Sequence, residues 1–560
     1  MPEVNIEFDV PAKMRDGTVL RADIYRPGSG GPWPVLLSRL PYGKNQTGTL
    51  SFVDPVSRAK RGFMVVVQDV RGRFASDGDW EPYTFEESDG YDTVGWAAAL
   101  PGANGSVGMF GGSYFGNTQW MAALAKPPEL KAIAPALTWS EPDDGLFARG
   151  GATELGLSVP WSLVQGLDTV MRRHAADPVG GMQALGALLM ELDNVATSAY
   201  WELPVGKHPA FVRHGIAELG CERSRREPEW SASCRVAGRH SEVGLPTFHI
   251  GGWYDIYCQG TLDNFAAMRE ADNPATLVMG PWVHGSFAGQ IGDVNFGIAA
   301  SGDLVALRGS LTDLQSDWFE RWMSADTEAE GAPVKPELPP VLLFVMGTNE
   351  WREEQEWPLA RAEETDLFLR ADGRLAHEPP GPDEGVDTFV YDPADPVMTT
   401  GGALLLTSEF RPGPLDQATV EARSDVLVYS TDPLETDVEV TGRVRAVLYA
   451  ATDAPSTDWV VRLCDVDADG VSRNVVDGIV RATSPDSEHG IDLWSTSYVF
   501  RAGHRMRVHV TSSNFPRWDR NLNTGEPNDR GTESRPAQQT VGHSMAMPSR
   551  IILPIVPPGT

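Results

Sequence analysis

Apolar and polar positions over the first 350 residues switch between short strand-like and longer helix-like stretches. Residues 4–26 alternate in two segments around Asp16-Gly17, a hairpin turn signal. Pro34–Ser38 and Gly62–Gln68 (GFMVVVQ) are short apolar runs that predict buried strands. Asp89–Leu100 reads as a helix that stops at Pro101. Ser106–Phe110 is the next strand, Tyr114–Lys126 a helix ended by Pro127 and Pro128, and Leu130–Leu137 a strand again. The alternation breaks over residues 142–242, where helical stretches such as Gly181–Tyr200 stand among polar loops without a clear strand. It resumes with strands at Pro246–Gly251, Ala275–Gly280 and Val341–Val345 and helices at Thr261–Glu270 and Leu311–Met323. Strands alternating with helices predict a mainly parallel sheet covered on both faces. The simplest organisation is one α/β domain, residues 1–141 and 243–352, interrupted by a helical insertion at 142–242.

From residue 353 to 560 the pattern changes. Pro, Asp, Thr and Val become frequent, and short alternating runs such as Val438–Tyr449, Trp459–Val466 and Met506–Thr511 sit between turn residues. That predicts a C-terminal β-sandwich or jelly roll.

Composition narrows the function classes. The 49 aromatic residues among 560 exclude disorder as the main state. A net charge of −31 argues against a general role on nucleic acid or anionic lipid. Four Cys make no disulfide scaffold, and Cys221 and Cys234 read as free thiols. The opening MPEVNIEFDV lacks the features of a signal peptide, and no apolar run reaches membrane-spanning length. A cytoplasmic location is expected.

The chemistry starts at Gly108-Met109-Phe110-Gly111-Gly112-Ser113-Tyr114-Phe115-Gly116. A short apolar strand runs into Gly-Gly-Ser and then directly into a helix, as in a nucleophile elbow. Small neighbours permit the sharp turn that lifts the Ser113 hydroxyl above the sheet. The Tyr114 N–H then lies at a helix N-terminus, able to face an oxyanion. Phe115 stands where G-x-S-x-G has its second Gly, and Gly116 follows it. A serine nucleophile needs a base and an orienting carboxylate, in the chain order Ser, Asp or Glu, His. Asp255 follows the strand Pro246–Gly251, and His284 follows the strand Ala275–Gly280. The other histidines sit in a strand (His249), in the insertion or in the β region.

These residues resemble the cocaine esterase and X-prolyl dipeptidyl-peptidase group of α/β-hydrolases. The matching features are Arg39-Leu40-Pro41-Tyr42, Gln68-Asp69-Val70-Arg71-Gly72, Gly111-Gly112-Ser113-Tyr114-Phe115-Gly116, Gly252-Trp253-Tyr254-Asp255 and Gly280-Pro281-Trp282-Val283-His284. The likeness continues through Tyr391-Asp392-Pro393-Ala394-Asp395-Pro396, Asp477-Gly478-Ile479-Val480-Arg481 and Ser512-Ser513-Asn514-Phe515-Pro516, and is weakest in 142–242. In that group the elbow reads G-x-S-Y-x-G, so Phe115 is a group trait. The resemblance implies an α/β-hydrolase core, an inserted helical cap and a C-terminal jelly roll. It implies Ser113 as nucleophile, His284 as general base and acid, Asp255 as orienting carboxylate, and the Tyr42 phenol as an oxyanion donor beside the Tyr114 N–H.

Branches of the group differ in substrate. In the α-amino-acid ester hydrolases, acidic residues two and three positions past the triad Asp neutralise an ammonium. Here those positions are Tyr257 and Cys258. An uncharged acyl group is therefore expected, with Glu154 on the cap as the carboxylate that could replace the missing pair. Trp161, Tyr257 and the run Leu404-Leu405-Leu406 are candidates for the acyl pocket, Leu405 and Leu406 from a jelly-roll loop. The reading is a serine carboxylesterase acting on a small-molecule ester, without metal or cofactor. The alternatives are an X-prolyl dipeptidyl-peptidase, an α-amino-acid ester hydrolase or an amidase using the same triad. A non-catalytic carbohydrate-binding protein is the alternative from another class. Oligomeric state is open, a homodimer included.

Three other features are read as structural. Asp465-Val466-Asp467-Ala468-Asp469-Gly470 imitates a calcium loop but has Val476 where the closing Glu belongs, so Ala468-Asp469-Gly470 is expected to be a hairpin turn. Asp69 and Arg71 are expected to fix the loop after their strand through an ion pair. The acidic stretch 325–365 is expected to be a solvated face.

Overall fold

The structure is a computed structural model, and it describes all residues except 1, 2, 324–337, 383, 406, 407, 485, 528, 529 and 560. The first sheet contains, in chain order, β1 (Val4–Lys13), β2 (Val19–Pro27), β3 (Trp33–Leu40), β4 (Met64–Asp69), β5 (Ala103–Gly112), β6 (Leu130–Ala136), β7 (Thr247–Tyr254), β8 (Ala275–Val283), β9 (Val341–Val345) and β10 (Glu350–Glu354). Its spatial order is β1-β2-β4-β3-β5-β6-β7-β8-β9-β10. The strands from β4 through β3 to β9 are parallel, and the hairpin β1–β2 and strand β10 are antiparallel edges. Every residue of β4 is buried, which is why it reads as an unbroken apolar run.

Helices cover both faces of this sheet. In chain order the ones that matter here are α1 (Thr47–Val53), α2 (Pro55–Lys60), α3 (Glu86–Ala98), α4 (Tyr114–Ala125), α5 (Leu155–Arg173) and α6 (Pro178–Asp193). Helix α4 is buried along nearly its whole length, and its buried polar side chains Asn117, Thr118 and Gln119 donate to carbonyl oxygens. Gly90 of α3 faces Ala122 of α4 so closely that a Cβ there would lie 2.9 Å from the alanine methyl. That contact lets the two helices pack face to face.

Two strands run longer than their apolar pattern suggests. β7 continues to Tyr254 and β8 to Val283, so Asp255 and His284 are the first residues beyond their strands. The sequence there, Gly251-Gly252-Trp253-Tyr254 and Gly280-Pro281-Trp282, is poor in strand formers. It holds because Gly252 and Gly280 pair directly and both make room for Trp282. A Cβ at Gly252 would meet the Trp282 carbonyl oxygen, and one at Gly280 would meet its ring, each at 2.3 Å.

Residues 142–242 are dominated by helices α5 and α6, followed by short helical turns. They are not wholly without strand. Ala148–Arg149 and Ala152–Thr153 form a two-residue pair, too short to leave a periodic signal. Pro160 lies inside α5 and cannot donate to the Gly156 carbonyl; the Tyr200 hydroxyl donates to it instead at 3.0 Å. Among the described residues no helix is long and apolar enough to cross a membrane.

The C-terminal region is a β-sandwich whose strands belong to one hydrogen-bonded network of 12, including Val438–Thr452, Thr457–Val466, Ser472–Ala482 and Arg505–Thr511. Its core is built from residues such as Leu367, Tyr391, Leu448, Trp459, Phe500 and Val510. The calcium-like segment is the turn of the hairpin Thr457–Val466/Ser472–Ala482. Asp467 Oδ1 accepts the backbone N–H groups of Asp469 and Val471 at 3.0 and 2.9 Å. Among the described residues no cluster of His, Cys, Asp and Glu could hold a metal ion.

Several polar expectations need correction. Asp69 and Arg71 do not pair with each other. Arg71 binds Asp89 at 2.6 Å and Asp16 at 2.7 Å, while Asp69 accepts the Lys44 backbone N–H at 2.7 Å. The strand ends at Asp69, and the turn that follows carries Arg71 toward Asp16 and Asp89. In the acidic stretch 325–365, residues 325–337 lie outside the described residues; Glu350, Glu353, Glu356, Glu363 and Glu364 are exposed as expected, and the exception is Glu354, buried between Arg352 and Arg361.

Arg481 joins two carboxylates deep in the sandwich, Asp458 and Asp519, each at 2.8 Å, and both carboxylates are almost fully shielded from water. Removing the guanidinium leaves two buried carboxylates without the cation between them. Arg481→Ala is therefore expected to destabilise the protein by about 3–5 kcal/mol. A thermal or denaturant melt of the full chain checks this, and an unchanged midpoint refutes it.

Candidate active site

The residues singled out from the sequence come together at the carboxyl ends of the parallel strands, where open α/β sheets bind ligands. Tyr42 follows β3, Ser113 follows β5, Asp255 and Tyr257 follow β7, and His284 follows β8. Ser113 has φ 58° and ψ −127°, a backbone region that non-glycine residues rarely occupy. Its N–H donates to the carbonyls of Ala136 and Leu137, both at 3.0 Å, and its own carbonyl accepts from Thr138 Oγ1 at 2.9 Å. The end of β6 thus holds the turn in place.

Small residues make that approach possible. A Cβ on Gly116 would lie 2.8 Å from Thr138 Cβ and 3.1 Å from the Ala136 oxygen. At Gly111, with φ +133°, a Cβ would meet the Phe115 ring at 2.2 Å. The glycine at 111 therefore admits the Phe115 ring, and the glycine needed beside the strand falls at 116 and not at 115.

The polar chain is continuous. Ser113 Oγ lies 3.0 Å from His284 Nε2, and His284 Nδ1 lies 2.7 Å from Asp255 Oδ2. The Tyr257 backbone N–H donates to the other Asp255 oxygen at 2.7 Å. Asp255 is fully buried, and the Tyr257 ring packs edge-on against the His284 imidazole at 5.2 Å. With Nδ1–H donated to the carboxylate, Nε2 is the nitrogen left to take a proton from Ser113.

Two phenols flank the serine. Tyr42 lines the same cavity as Ser113, and its oxygen accepts the Trp161 indole N–H at 3.3 Å. Burial raises its pKa, so the phenol is neutral at ordinary pH. Tyr114 is different, because its hydroxyl points away and donates to the buried Glu86 at 2.8 Å. Glu86 also pairs with the buried Arg39 at 2.9 Å. Burial pushes the Glu86 carboxyl up against the opposing pull of Arg39. What Tyr114 offers the site is its backbone N–H, at the first helical position, where no intrahelical acceptor exists.

A cavity of about 480 Å³ opens beside Ser113 and His284. Trp161, Tyr257 and Leu405 line it, and Leu406 lies outside the described residues. Further rings from Phe52, Tyr83, Phe115, Trp139 and Phe147 also line it, and none of these was evident as a site residue beforehand. For Trp139 a usable signal existed, since it follows β6 as the triad residues follow their strands. Tyr83 and Phe147 stand in irregular segments, where no pattern marks them. Among the described residues no Asp, Glu, Lys or Arg lines the cavity. Glu154 does not reach it; its carboxylate accepts the Trp518 indole N–H of the β-sandwich at 2.8 Å.

Residues 16–286 match the X-Pro dipeptidyl-peptidase (S15 family), and residues 334–552 match the X-Pro dipeptidyl-peptidase C-terminal non-catalytic domain. The cocaine esterase of Rhodococcus sp. is 34% identical, with 99% of each chain covered. The chain belongs to the S15 family of hydrolases. An aminopeptidase from a marine sediment Thaumarchaeota archaeon has the same fold at 25% identity and a TM-score of 0.78, covering 99% of this chain and 97% of that one. An α-amino acid ester hydrolase matches at 24% identity and a TM-score of 0.76, covering 99% and 96%. As a member of this family the chain is a hydrolase of the serine esterase and peptidase type.

All four cysteines are free and buried. Burial holds the thiols of Cys221, Cys234 and Cys258 well above their ordinary range and pushes Cys464 up to about 12. Thiolate is the reactive form, so Cys258 is no nucleophile despite its place beside Tyr257. A thiol reagent at pH 8 is expected to label none of the four in the native protein and all four after denaturation. Rapid native labelling with loss of activity contradicts this.

Proposed function

We propose that this protein is a serine carboxylesterase that hydrolyses esters of uncharged acids, aromatic ones included, through an acyl-enzyme at Ser113. The observation that carries this reading is the Ser113–His284–Asp255 hydrogen-bonded chain opening onto an aromatic cavity lined, among the described residues, by no Asp, Glu, Lys or Arg. An ammonium group in that cavity has no carboxylate to balance it, which weighs against amino-acyl and X-Pro substrates.

In the first half-reaction Ser113 Oγ attacks the ester carbonyl carbon while its proton passes to His284 Nε2. The imidazolium that forms is stabilised by Asp255. Negative charge collects on the former carbonyl oxygen, toward the Tyr42 O–H and the Tyr114 N–H. Collapse of the tetrahedral intermediate breaks the carbon–oxygen bond to the alcohol, which leaves with the proton from His284. Water then attacks the acyl carbon, gives a proton to His284, and the second collapse frees the acid and restores Ser113.

Residues 142–242 act as the cap that selects the acyl group, since α5 brings Trp161, Leu157 and Ser158 to the cavity. Leu405 closes it from the β-sandwich side.

Pre-steady-state hydrolysis of p-nitrophenyl butyrate tests the reading. Wild type is expected to give a burst of nitrophenol equivalent to the enzyme present, and Ser113→Ala none. Faster cleavage of aminoacyl or X-Pro anilides than of benzoate esters overturns the substrate class. Tyr42→Phe is expected to lower kcat about 10²–10³-fold, the usual cost of losing an oxyanion donor. A steady-state kcat equal to wild type removes Tyr42 from that role.

A further inference from the structure

The Tyr42 phenol has one proton to give and two lone pairs to receive, whereas the Trp161 indole can only donate. The 3.3 Å contact between them therefore has one polarity, from indole nitrogen to phenol oxygen. It occupies a lone pair of Tyr42 and leaves the phenol proton for another acceptor. Ser113, beside which the oxyanion of the proposed reaction forms, lines the same cavity as the phenol. A hydrogen bond received by a phenol also polarises its O–H and strengthens it as a donor.

The surroundings fix this arrangement. The buried Arg73 donates to the carbonyl of Pro41, the residue before Tyr42, at 3.0 Å. The same guanidinium donates to the Gln165 carbonyl at 3.0 Å and its side-chain oxygen at 2.8 Å. Gln165 is one turn beyond Trp161 on α5 and lies on the same face. One buried cation thus pins the loop carrying the phenol to the helix carrying the indole. The indole itself is held by Trp80, edge-on at 6.2 Å, and Tyr83, stacked at 6.4 Å.

We infer that Trp161 is a positioning residue for the oxyanion hole: its indole N–H, delivered by the cap helix α5, aims the Tyr42 phenol proton at the developing oxyanion. The inference rests on the reading of Tyr42 as an oxyanion donor. It gives the cap a part in turnover itself, separate from its part in choosing the acyl group.

A double-mutant cycle on the full-length enzyme tests this, with p-nitrophenyl acetate and benzoate and with active sites counted by burst titration. Trp161→Phe removes the N–H but keeps a ring in the wall. Replacing Trp161 by 3-benzothienylalanine removes the N–H at constant shape, and decides the matter if the Phe variant does not fold. Loss of one neutral hydrogen bond predicts a kcat about 2- to 12-fold lower, alike for acetate and benzoate. In a Tyr42→Phe background the same change is expected to alter kcat less than about 2-fold, because no phenol proton remains to aim. An equal kcat loss in both backgrounds overturns the inference while leaving Tyr42 as oxyanion donor. So does an effect confined to KM or to benzoate, which marks Trp161 as wall alone. An unchanged kcat in Tyr42→Phe by itself overturns the oxyanion reading and this inference together.

Discussion

The site depends on one strained turn. Ser113 is held at positive φ by two carbonyls at the end of β6, and that position is open only because helix α4 approaches the strand end across Gly116. A non-glycine residue in this region costs on the order of 1–3 kcal/mol. The cost is offset by burial of nearly all of α4 and by a polar network that leaves its first turn no freedom. In that network the Tyr114 hydroxyl binds Glu86, Glu86 binds Arg39, and Arg39 reaches Gln68 on β4 at 2.9 Å. The motif residues around Tyr42 and Gln68 thus act on Ser113 from a distance, through the strands on which they sit.

The second constraint is the placement of α5. It has few contacts with the sheet itself and is held along its length, its carboxyl end through Arg172 on the Phe74 and Ser76 carbonyls. At its amino end Glu154 takes the Trp518 indole, the Thr153 N–H donates to Asp519 at 2.7 Å, and Arg149 donates to the carbonyl of Asp477 at 2.6 Å. These are residues of the β-sandwich. Two turns further on, Arg73 and Tyr42 hold it from the α/β side. The β-sandwich therefore does more than close the cavity with Leu405. It sets the start of the helix whose aromatic side chain faces the serine.

Charge is distributed in keeping with this division. Most of the acidic residues lie outside the core, and the carboxylates that are buried share it with buried arginines (Arg39, Arg58, Arg73, Arg149, Arg462, Arg517) that serve as internal clamps. Their planar, multiple donors suit them to bridging two or three backbone and side-chain oxygens at once. None of them lines the cavity, whose described lining carries no Asp, Glu, Lys or Arg.

The sequence by itself determined the alternation of strands and helices, the interruption by a helical segment, the change to a β-rich region, and the order Ser113, Asp255, His284. These are local patterns. A parallel strand buried on both faces must be apolar throughout, and a nucleophile turn must have glycine where backbone and helix meet. Each of the three polar residues therefore stands within four residues of a readable strand end. Only the tertiary structure decided which aromatic rings surround the serine, because Tyr83, Trp139 and Phe147 come from segments far apart in the chain and carry no period. It also decided that Glu154 serves the β-sandwich and not the substrate, and that Asp69 and Arg71 take separate partners. Such pairings depend on the direction of a side chain from its strand or helix. One residue of register changes that direction, and composition does not encode it.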